Sequence, residues 1–114
     1  MNVKKAITRA DDIRPNAISD ELKFSWVFEI EGHIAELLGV PVPEDTFPQD
    51  SELLMGPPYE SIYERYLCAM IDLAQQDTAL YANDYELYNA TMAEAMAQYR
   101  RTNKPAGGGY WRAW

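Results

Sequence analysis

The residue types that most often do chemistry are present in this chain, but they do not form a recognisable catalytic pattern. His33 is the only histidine and Cys68 the only cysteine, and no spacing between them, or from either to the carboxylates, matches a zinc site. Cys68 lies beside an apolar helical stripe and has no histidine at a motif spacing, so we predict a buried, unreactive thiol. We expect no metal site and no cofactor.

Paired carboxylates and a glycine run also lack the context that chemistry needs. Glu29/Glu31 and Glu60/Glu64 would serve acid–base catalysis only in a cleft that shifts their pKa values, and both pairs are predicted to lie on solvated helix faces. The glycines at 107–109 lack the strand, the helix and the Lys-Ser/Thr pair of a phosphate-binding loop. The sequence therefore predicts a protein without catalytic residues.

The aromatic and basic residues near the C-terminus are the strongest candidates for a functional site. Tyrosine, tryptophan and arginine are enriched at the energetic centres of protein interfaces, and here they follow a flexible triple glycine. We predict that this tail docks into a groove on another copy or on a partner protein; the alternatives are a tail folded back on its own body and a tail disordered in solution. The candidate interaction residues are Tyr110, Trp111, Arg112, Trp114, Arg100 and Arg101, with Phe47 in a proline-rich loop.

Length and composition predict one folded domain to present these residues. The chain has 114 residues, of which 47% are hydrophobic and 25% charged, as is usual for a globular domain. No apolar run approaches the roughly 20 residues of a membrane span, and residues 1–14 are too charged for a signal peptide. The single cysteine is typical of a reducing compartment, so we expect a soluble, intracellular protein. Residues 1–105 should form the helical domain and residues 106–114 a flexible tail.

Charge is segregated along the chain. The formal net charge is −8, and all 18 acidic residues lie within residues 11–99, whereas both ends are basic. An acidic body repels nucleic-acid phosphates, so DNA or RNA is not expected as a specific ligand. The basic ends are expected either to pair with the acidic body of a neighbouring copy or to be solvated.

Periodicity and capping residues predict four helices, the first two before residue 40. The first is expected over about residues 3–13 after an Asn2 N-cap, and the second between a Ser19 N-cap and Gly39. Gly32 inside the second helix is a candidate for a close contact between helices. The apolar stripe of the second helix comprises Leu22, Trp26, Ile30, Ile34, Leu37 and Leu38, with Lys23, Glu29 and Glu36 on the solvated side.

Two further helices are predicted after a proline-rich loop over residues 40–58. The third helix should begin at Pro58, because proline is tolerated in a first turn, and the fourth should span about residues 79–101. Only residues 75–77 separate them, so they should be antiparallel neighbours. In the loop, residues 51–55 are expected to form a short extended piece. The loop residues expected to cover one end of the bundle are Phe47, Leu53, Leu54 and Met55.

Tyrosine dominates the apolar stripes of the last two predicted helices. Seven of the eight tyrosines lie there, and tyrosine at helical spacing usually packs in a core while its hydroxyl reaches the rim. We therefore favour packing over an aromatic ligand site, and expect the two tyrosine stripes to face each other. The side opposite the third stripe should carry Glu60, Glu64, Arg65 and Asp72. The predicted fold is all-α, a small antiparallel bundle of about four helices with a long proline-rich loop and an extended C-terminal tail.

Two stretches of the chain, residues 7–38 and 56–105, carry a resemblance to a known family. The motifs are Arg14-Pro15-Asn16, Trp26…Glu31-Gly32, Pro57-Pro58-Tyr59, Tyr66-Leu67-Cys68-Ala69-Met70-Ile71-Asp72 and Tyr99-Arg100-Arg101-Thr102…Lys104-Pro105. With them the chain resembles a family of small proteins encoded among the virion structural genes of tailed phages and prophages of Gram-positive bacteria. These proteins are described as head–tail connectors or head-completion adaptors. The tail from residue 106 lies outside the resemblance.

The resemblance implies a noncatalytic viral structural protein that acts in virion assembly. Such adaptors form a homo-oligomeric ring beneath the portal and join it to the next neck or tail protein, so the expected location is the virion neck, and the host bacterial cytoplasm before assembly. DNA would be only passing cargo, and no membrane is involved. A ring uses heterologous contacts, for which segregated charge and an aromatic tail are suitable. The alternative is a small prophage-encoded regulatory or host-interaction protein that binds a single protein partner.

Overall fold

The computed structural model describes residues 1–42 and 50–102, and these residues contain four α-helices. The helices are α1 (Val3–Ile13), α2 (Asp20–Leu38), α3 (Ser61–Ala74) and α4 (Thr78–Thr102). None of the helices in the described part of the chain is long and apolar enough to cross a membrane. The predicted all-α class and small helical bundle are confirmed. Residues 43–49 of the proline-rich loop and the tail from residue 103 lie outside the described residues.

Helices α1 and α2 begin and end where the capping residues predict. The side chain of Asn2 accepts a hydrogen bond from the Lys5 backbone N–H at 2.8 Å, and that of Ser19 accepts one from Leu22 at 3.2 Å. Helix α2 ends at Gly39, whose φ of 72° is left-handed. Glycine adopts this conformation without the steric cost of a Cβ atom.

Helix α3 begins later than the sequence predicts. The backbone N–H of Tyr59 donates to the carbonyl of Gly56 at 3.0 Å, and that of Ile62 donates to Tyr59 at 3.1 Å. Pro58 therefore lies in a turn, and the first helical residue is Ser61. Hydrogen bonds between residues i and i−3 form 3₁₀ turns, which are common at the start of an α-helix.

The segment from residue 50 to the start of α3 lies against the start of α1. Glu52 pairs with Asn2 in an isolated antiparallel bridge, as expected of a short extended piece. Leu53 and Met55 are buried, whereas Leu54 is 43% exposed. The predicted apolar cover is thus confirmed for two side chains and wrong for Leu54, since side chains alternate in an extended segment. Phe47, the fourth predicted member, lies outside the described residues.

Helices α3 and α4 are antiparallel neighbours, as predicted. Arg65 of α3 bonds to Thr91 of α4, and Tyr66 packs against Tyr88 with 5.2 Å between ring centroids. Later residues of α3 therefore contact earlier residues of α4, as in an antiparallel pair. The predicted tyrosine packing is confirmed for Tyr66 and Tyr88. Tyr85, at the edge of this contact, is 37% exposed.

Periodicity alone misplaces five side chains of α2 and α3. Lys23, Glu31 and Asp72 are predicted to be solvated but are 2%, 3% and 1% exposed, whereas Leu22 and Leu37 are 44% and 46% exposed. Each buried charge has a partner on another element, such as the Asp11 carboxylate 2.8 Å from the Lys23 ammonium nitrogen, and such partners offset the cost of burial. The inward row of α2 comprises Lys23, Trp26, Val27, Ile30, Glu31, Ile34 and Ala35.

Gly32 does not mark a contact between helices. A Cβ atom built at this position would lie 3.5 Å from the Val42 side chain, which is ordinary van der Waals contact. Gly32 is thus adjacent to the segment that follows α2, on the outward side of the helix, and the prediction of a close helix contact is wrong.

Candidate protein-interaction surface

A groove of about 670 Å³ runs along the outward side of α2. Three carboxylates line it, those of Glu21, Glu29 and Glu36. Their spacing of seven and eight residues places them on one side of a helix with 3.6 residues per turn. The groove therefore carries a row of negative charge along most of the length of α2.

One wall of the groove is aromatic. Phe24 and Phe28 lie one turn apart, with 4.5 Å between ring centroids and 61° between ring planes, the edge-to-face arrangement that aromatic pairs favour. Val42, from the segment after α2, also lines the groove. Apolar surface thus lies directly beside the carboxylate row.

A second pocket of about 280 Å³ lies on the other side of Glu29 and is lined by tyrosines of α3 and α4. The Tyr66 hydroxyl donates to the Glu29 carboxylate at 2.6 Å. The ring centroids of Tyr85 and Tyr88 are 5.5 Å apart. Burial, and secondarily Tyr85, raises the pKa of Tyr88 to about 12, so this phenol is neutral at physiological pH. Tyr66 and Tyr88 are buried, so the 37% exposed ring of Tyr85, near the Glu29 carboxylate, is the part of this pocket suited to a cationic side chain.

We call these two adjoining depressions the α2 surface. It is defined by Glu21, Phe24, Phe28, Glu29, Glu36, Tyr85 and Tyr88. The surface is acidic and aromatic together, and two helices, α2 and α4, supply these residues. Sequence reasoning missed it because it assigned the outward side of α2 to solvent; the signal that could have indicated it is the Phe24/Phe28 pair, which lies off the apolar stripe.

Buried hydrogen bonds set the rotation of α2, and so the direction in which the α2 surface points. Glu31 accepts hydrogen bonds from the Tyr63 hydroxyl at 2.7 Å and from the Leu54 backbone N–H at 2.8 Å. The Tyr63 hydroxyl in turn accepts from the Met55 N–H at 2.9 Å. Burial raises the pKa of Glu31, and the two hydrogen bonds oppose that rise. A carboxylate held at both oxygens keeps this side of α2 against α3.

A second charged region, which we call the Arg14 junction, joins the end of α1 to α3 and α4. The Arg14 guanidinium lies 3.2 Å from the Asp72 carboxylate and 2.9 Å from the Asp84 carboxylate. The second oxygen of Asp72 is buried and has no hydrogen-bond partner among the described atoms. Burial, and then the neighbouring Asp84 carboxylate, raise the pKa of Asp72 to about 7. The junction is a structural ion cluster, with its side chains 1% to 25% exposed.

The residues considered for catalysis or metal binding lie apart. Cys68 is buried as predicted, and burial raises the pKa of its thiol to about 12, so it is a weak nucleophile. His33 is exposed beside the α2 groove. Among the described residues, no cluster of three or more His, Cys, Asp or Glu side chains could hold a metal ion.

The carboxylate pairs also separate. Glu29 is exposed as predicted, but Glu31 is buried, so the prediction of a shared solvated face is wrong for this pair. Glu64 faces Arg9 at 3.4 Å. Glu60 accepts a hydrogen bond from the N-terminal ammonium of Met1, which lowers the pKa of the Glu60 carboxyl group. Glu60 and Glu64 are half-buried, and each has a different partner.

Of the predicted interaction residues, Arg100 and Arg101 lie within the described chain and are exposed at the end of α4. The Tyr99 hydroxyl donates to the carbonyl of Leu38 at 3.0 Å, so this end of α4 lies beside the end of α2. The other five candidates lie outside the described residues; they are Phe47, Tyr110, Trp111, Arg112 and Trp114.

Comparisons of the chain with protein-family models, with characterised proteins and with solved structures gave no match. The resemblance to head–tail connectors therefore stays a prediction. The α2 surface and the sequence beyond α4 provide the basis for a functional proposal.

Proposed function

We propose that the chain is a noncatalytic structural protein of a tailed phage or prophage, a head–tail connector that works by ring-like assembly between the portal and the next neck or tail protein. The observation that carries this proposal is the α2 surface. The Tyr85 ring, which is 37% exposed, provides aromatic contact area at low entropic cost. The adjoining carboxylates select a basic partner and orient it.

Residues from three of the motifs that resemble the connector family lie in the scaffold behind this surface. Arg14 joins α1 to α3 and α4, Trp26 and Glu31 lie on the inward row of α2, and Tyr66 packs between α3 and α4. The polar groups of Arg14, Glu31 and Tyr66 form hydrogen bonds or ion pairs within the domain. Such roles support a rigid assembly protein rather than a catalyst.

The distribution of charge also favours assembly from identical copies. The α2 surface is acidic, whereas Arg100 and Arg101 are exposed beyond its end, on α4. A heterologous contact joins one face of a copy to a different face of the next, and repetition closes a ring. An acidic body with a net charge of −8 would let DNA pass as cargo without binding it.

The test combines the purified chain with the portal protein of the same phage and examines the mixture by electron microscopy. We expect an additional ring on the portal, and we expect the chain in purified virions by mass spectrometry. A double charge reversal on the α2 surface, Glu29→Arg with Glu36→Arg, should remove the ring. The matched control reverses two exposed glutamates of α4, Glu86→Arg with Glu94→Arg, and should retain it. Absence of the chain from virions, together with no binding to the portal, would contradict the proposal.

A second candidate function is that of a small prophage-encoded regulatory or host-interaction protein with one protein partner. The observation that favours it is the size of the groove, since about 670 Å³ suits a single inserted segment. Such a protein would bind its partner as a monomer or dimer and would be absent from virions. The same mass-spectrometry experiment therefore separates the two functions.

A further inference from the structure

We infer that a single proton, held on Asp72 beside the carboxylate of Asp84, acts as a pH-sensitive switch between the end of α3 and the start of α4. With the proton in place these two helix ends stay together, and without it they separate locally. The inference depends on the geometry of the Arg14 junction. It goes beyond the connector proposal and does not rest on it.

The Arg14 junction contains one more carboxylate than guanidinium. Arg14 lies 3.2 Å from the Asp72 carboxylate and 2.9 Å from the Asp84 carboxylate, whose side chains are 1% and 10% exposed. With both acids ionised, the three side chains together carry a net negative charge inside the bundle. Burial of an unpaired charge destabilises a fold. One added proton makes the cluster neutral.

The second oxygen of Asp72 is the atom that this proton would occupy. The Arg14 Nε–H donates to Oδ1 of Asp72, whereas Oδ2 is buried and has no hydrogen-bond partner among the described atoms. An ionised carboxylate only accepts hydrogen bonds, but a protonated one also donates. The proton therefore gives the Asp72 oxygen a donor that can face Asp84. Burial, and then the neighbouring Asp84 carboxylate, raise the pKa of Asp72 to about 7, so this proton is gained and lost near neutral pH.

The ionisable groups near Asp72 on α3 and in the turn after it do not take the place of this proton. Cys68 lies one turn earlier on α3, and burial raises the pKa of its thiol to about 12, so the thiol is neutral in the same pH range. The Asp77 carboxylate accepts a hydrogen bond from the Leu80 backbone N–H at 3.1 Å. It therefore acts at the first turn of α4.

The buried ionisable groups of α2 have partners of their own. The Lys23 ammonium lies 2.8 Å from the Asp11 carboxylate, and Glu31 accepts from the Tyr63 hydroxyl at 2.7 Å. The charge on Asp72 is thus set by Arg14 of α1 and by the acid that faces it from α4.

The turn that joins α3 to α4 is strained and is bonded to Asp72. Gln76 has a φ of 60°, in the left-handed region that is costly for a residue with a Cβ atom. The backbone N–H of Asp77 donates to the carbonyl of Asp72 at 2.9 Å, and that of Gln76 donates to Leu73 at 3.0 Å. A displacement of Asp72 therefore also affects the turn, which makes this end of the helix pair the place where opening begins.

Rising pH opens the switch. The folded chain holds the Asp72 proton more tightly than the unfolded chain does, because its pKa is about 7 against an ordinary value of 3.8. The stabilisation is therefore complete at low pH and is lost as the pH rises through about 7. Once ionised, Asp72 and Asp84 repel each other, and Arg14 compensates only one of the two charges. Local opening admits water and weakens this repulsion at a lower cost than unfolding of the whole domain.

The first experiment measures amide hydrogen exchange of the full-length chain by NMR between about pH 5.5 and pH 8, corrected for the intrinsic pH dependence of exchange. The protection of the Asp77 and Tyr81 amides, which donate to Asp72 and Asp77, should fall about tenfold as the pH rises through 7. The Lys23 amide, which donates to Ser19, should keep constant protection. In Asp72→Asn, which cannot ionise at this position, the protection of Asp77 and Tyr81 should also stay constant.

Asp12→Asn is the matched control for that variant, because Asp12 is exposed on α1, and it should retain the response of the wild type. Protection of Asp77 and Tyr81 that does not change with pH in the wild type would overturn the inference. The same fall in Asp72→Asn as in the wild type would also overturn it.

The second experiment tests whether Asp84 holds the proton on Asp72. The carboxyl ¹³C resonance of Asp72 should titrate near pH 7 in the wild type, and in Asp84→Asn its pKa should fall by about one unit or more, because the facing negative charge is gone. Glu86→Gln, at an exposed position of α4, should leave the titration unchanged. Titration of Asp72 near its ordinary value in the wild type, or an unchanged pKa in Asp84→Asn, would overturn the inference. The connector proposal is tested separately, by the presence of the chain in virions.

Discussion

The Arg14 junction and the α2 surface use similar residue types in opposite ways. At the junction, one guanidinium faces two carboxylates inside the bundle, and Asp72 is 1% exposed. On the α2 surface, three carboxylates point outward beside aromatic rings. Buried charges must be paired or they destabilise the fold, whereas exposed carboxylates contribute little to stability. The first region should therefore govern folding and the second should govern recognition.

The largest expected effect on stability comes from Arg14→Ala at the junction. Removal of the guanidinium leaves Asp72 and Asp84 facing each other inside the bundle without a cation. We expect the free energy of unfolding to fall by about 3 kcal/mol, measured by urea denaturation. Arg9→Ala is the matched control on the same helix, since Arg9 is 41% exposed and 3.4 Å from Glu64. It should cost less than about 1 kcal/mol, and equal losses for the two variants would contradict the assignment.

The next effect tests the hydrogen bonds that hold the inward side of α2. Tyr63→Phe removes the hydroxyl that donates to Glu31 and accepts from the Met55 N–H, and leaves both of these groups with one partner fewer. We expect a loss of about 2 kcal/mol in the free energy of unfolding. Tyr66→Phe is the control, because the Tyr66 hydroxyl bonds to the exposed Glu29. A larger loss for Tyr66→Phe than for Tyr63→Phe would contradict this assignment.

A smaller effect concerns pH. The pKa of Asp72 in the folded chain is about 7 against an ordinary value of 3.8, so the folded chain holds this proton more tightly than the unfolded chain does. The stability that Asp72 contributes is then complete below about pH 4 and declines as the pH rises to about 7. Asp72→Asn removes this decline, so the variant should gain about 1–3 kcal/mol relative to the wild type between pH 4 and pH 7.

The measurement is urea denaturation of both proteins at several pH values across that range. Asp12→Asn serves as the control, because Asp12 is exposed on α1, and its difference from the wild type should stay constant. A difference between Asp72→Asn and the wild type that does not change with pH would contradict the high pKa of Asp72.

The smallest effect on stability is expected at the α2 surface. Glu29→Arg with Glu36→Arg should change the free energy of unfolding by less than about 1 kcal/mol, because both side chains are exposed. Thermal unfolding followed by circular dichroism measures this change. A decrease in the free energy of unfolding as large as that of Arg14→Ala would mean that the α2 surface stabilises the fold. That result would contradict the division between a structural junction and a recognition surface.

The elements of this fold could be predicted from local signals, but their buried charges could not. Asn2, Ser19 and Gly39 act on atoms within a few residues of themselves, so the sequence contains all the information that their roles require. Lys23 and Asp72 are buried because Asp11, Arg14 and Asp84 reach them from other elements. Periodicity assigns a charged residue to solvent unless the partner is known.

The candidate site divides in the same way. The aromatic and basic composition of residues 110–114 is a local signal, and it predicted an interaction segment. The α2 surface, in contrast, needs Tyr85 and Tyr88 of α4 beside Glu29 of α2, and the sequence does not indicate that these helices run in the same direction. Buried and exposed aromatic residues of a helix recur at the same spacing. Neither spacing nor composition therefore distinguishes a core tyrosine from a surface tyrosine.

Hydroxyl-radical footprinting of the assembled and the dispersed protein tests most directly whether the α2 surface is the assembly site. Phe28 and Tyr85, which line it, should be oxidised at least several-fold more slowly in the assembly. Leu87, which is 46% exposed on α4 and lies two residues from Tyr85 on a different side of that helix, should be oxidised at an unchanged rate. Protection of Leu87 with none at Phe28 and Tyr85 would contradict the account.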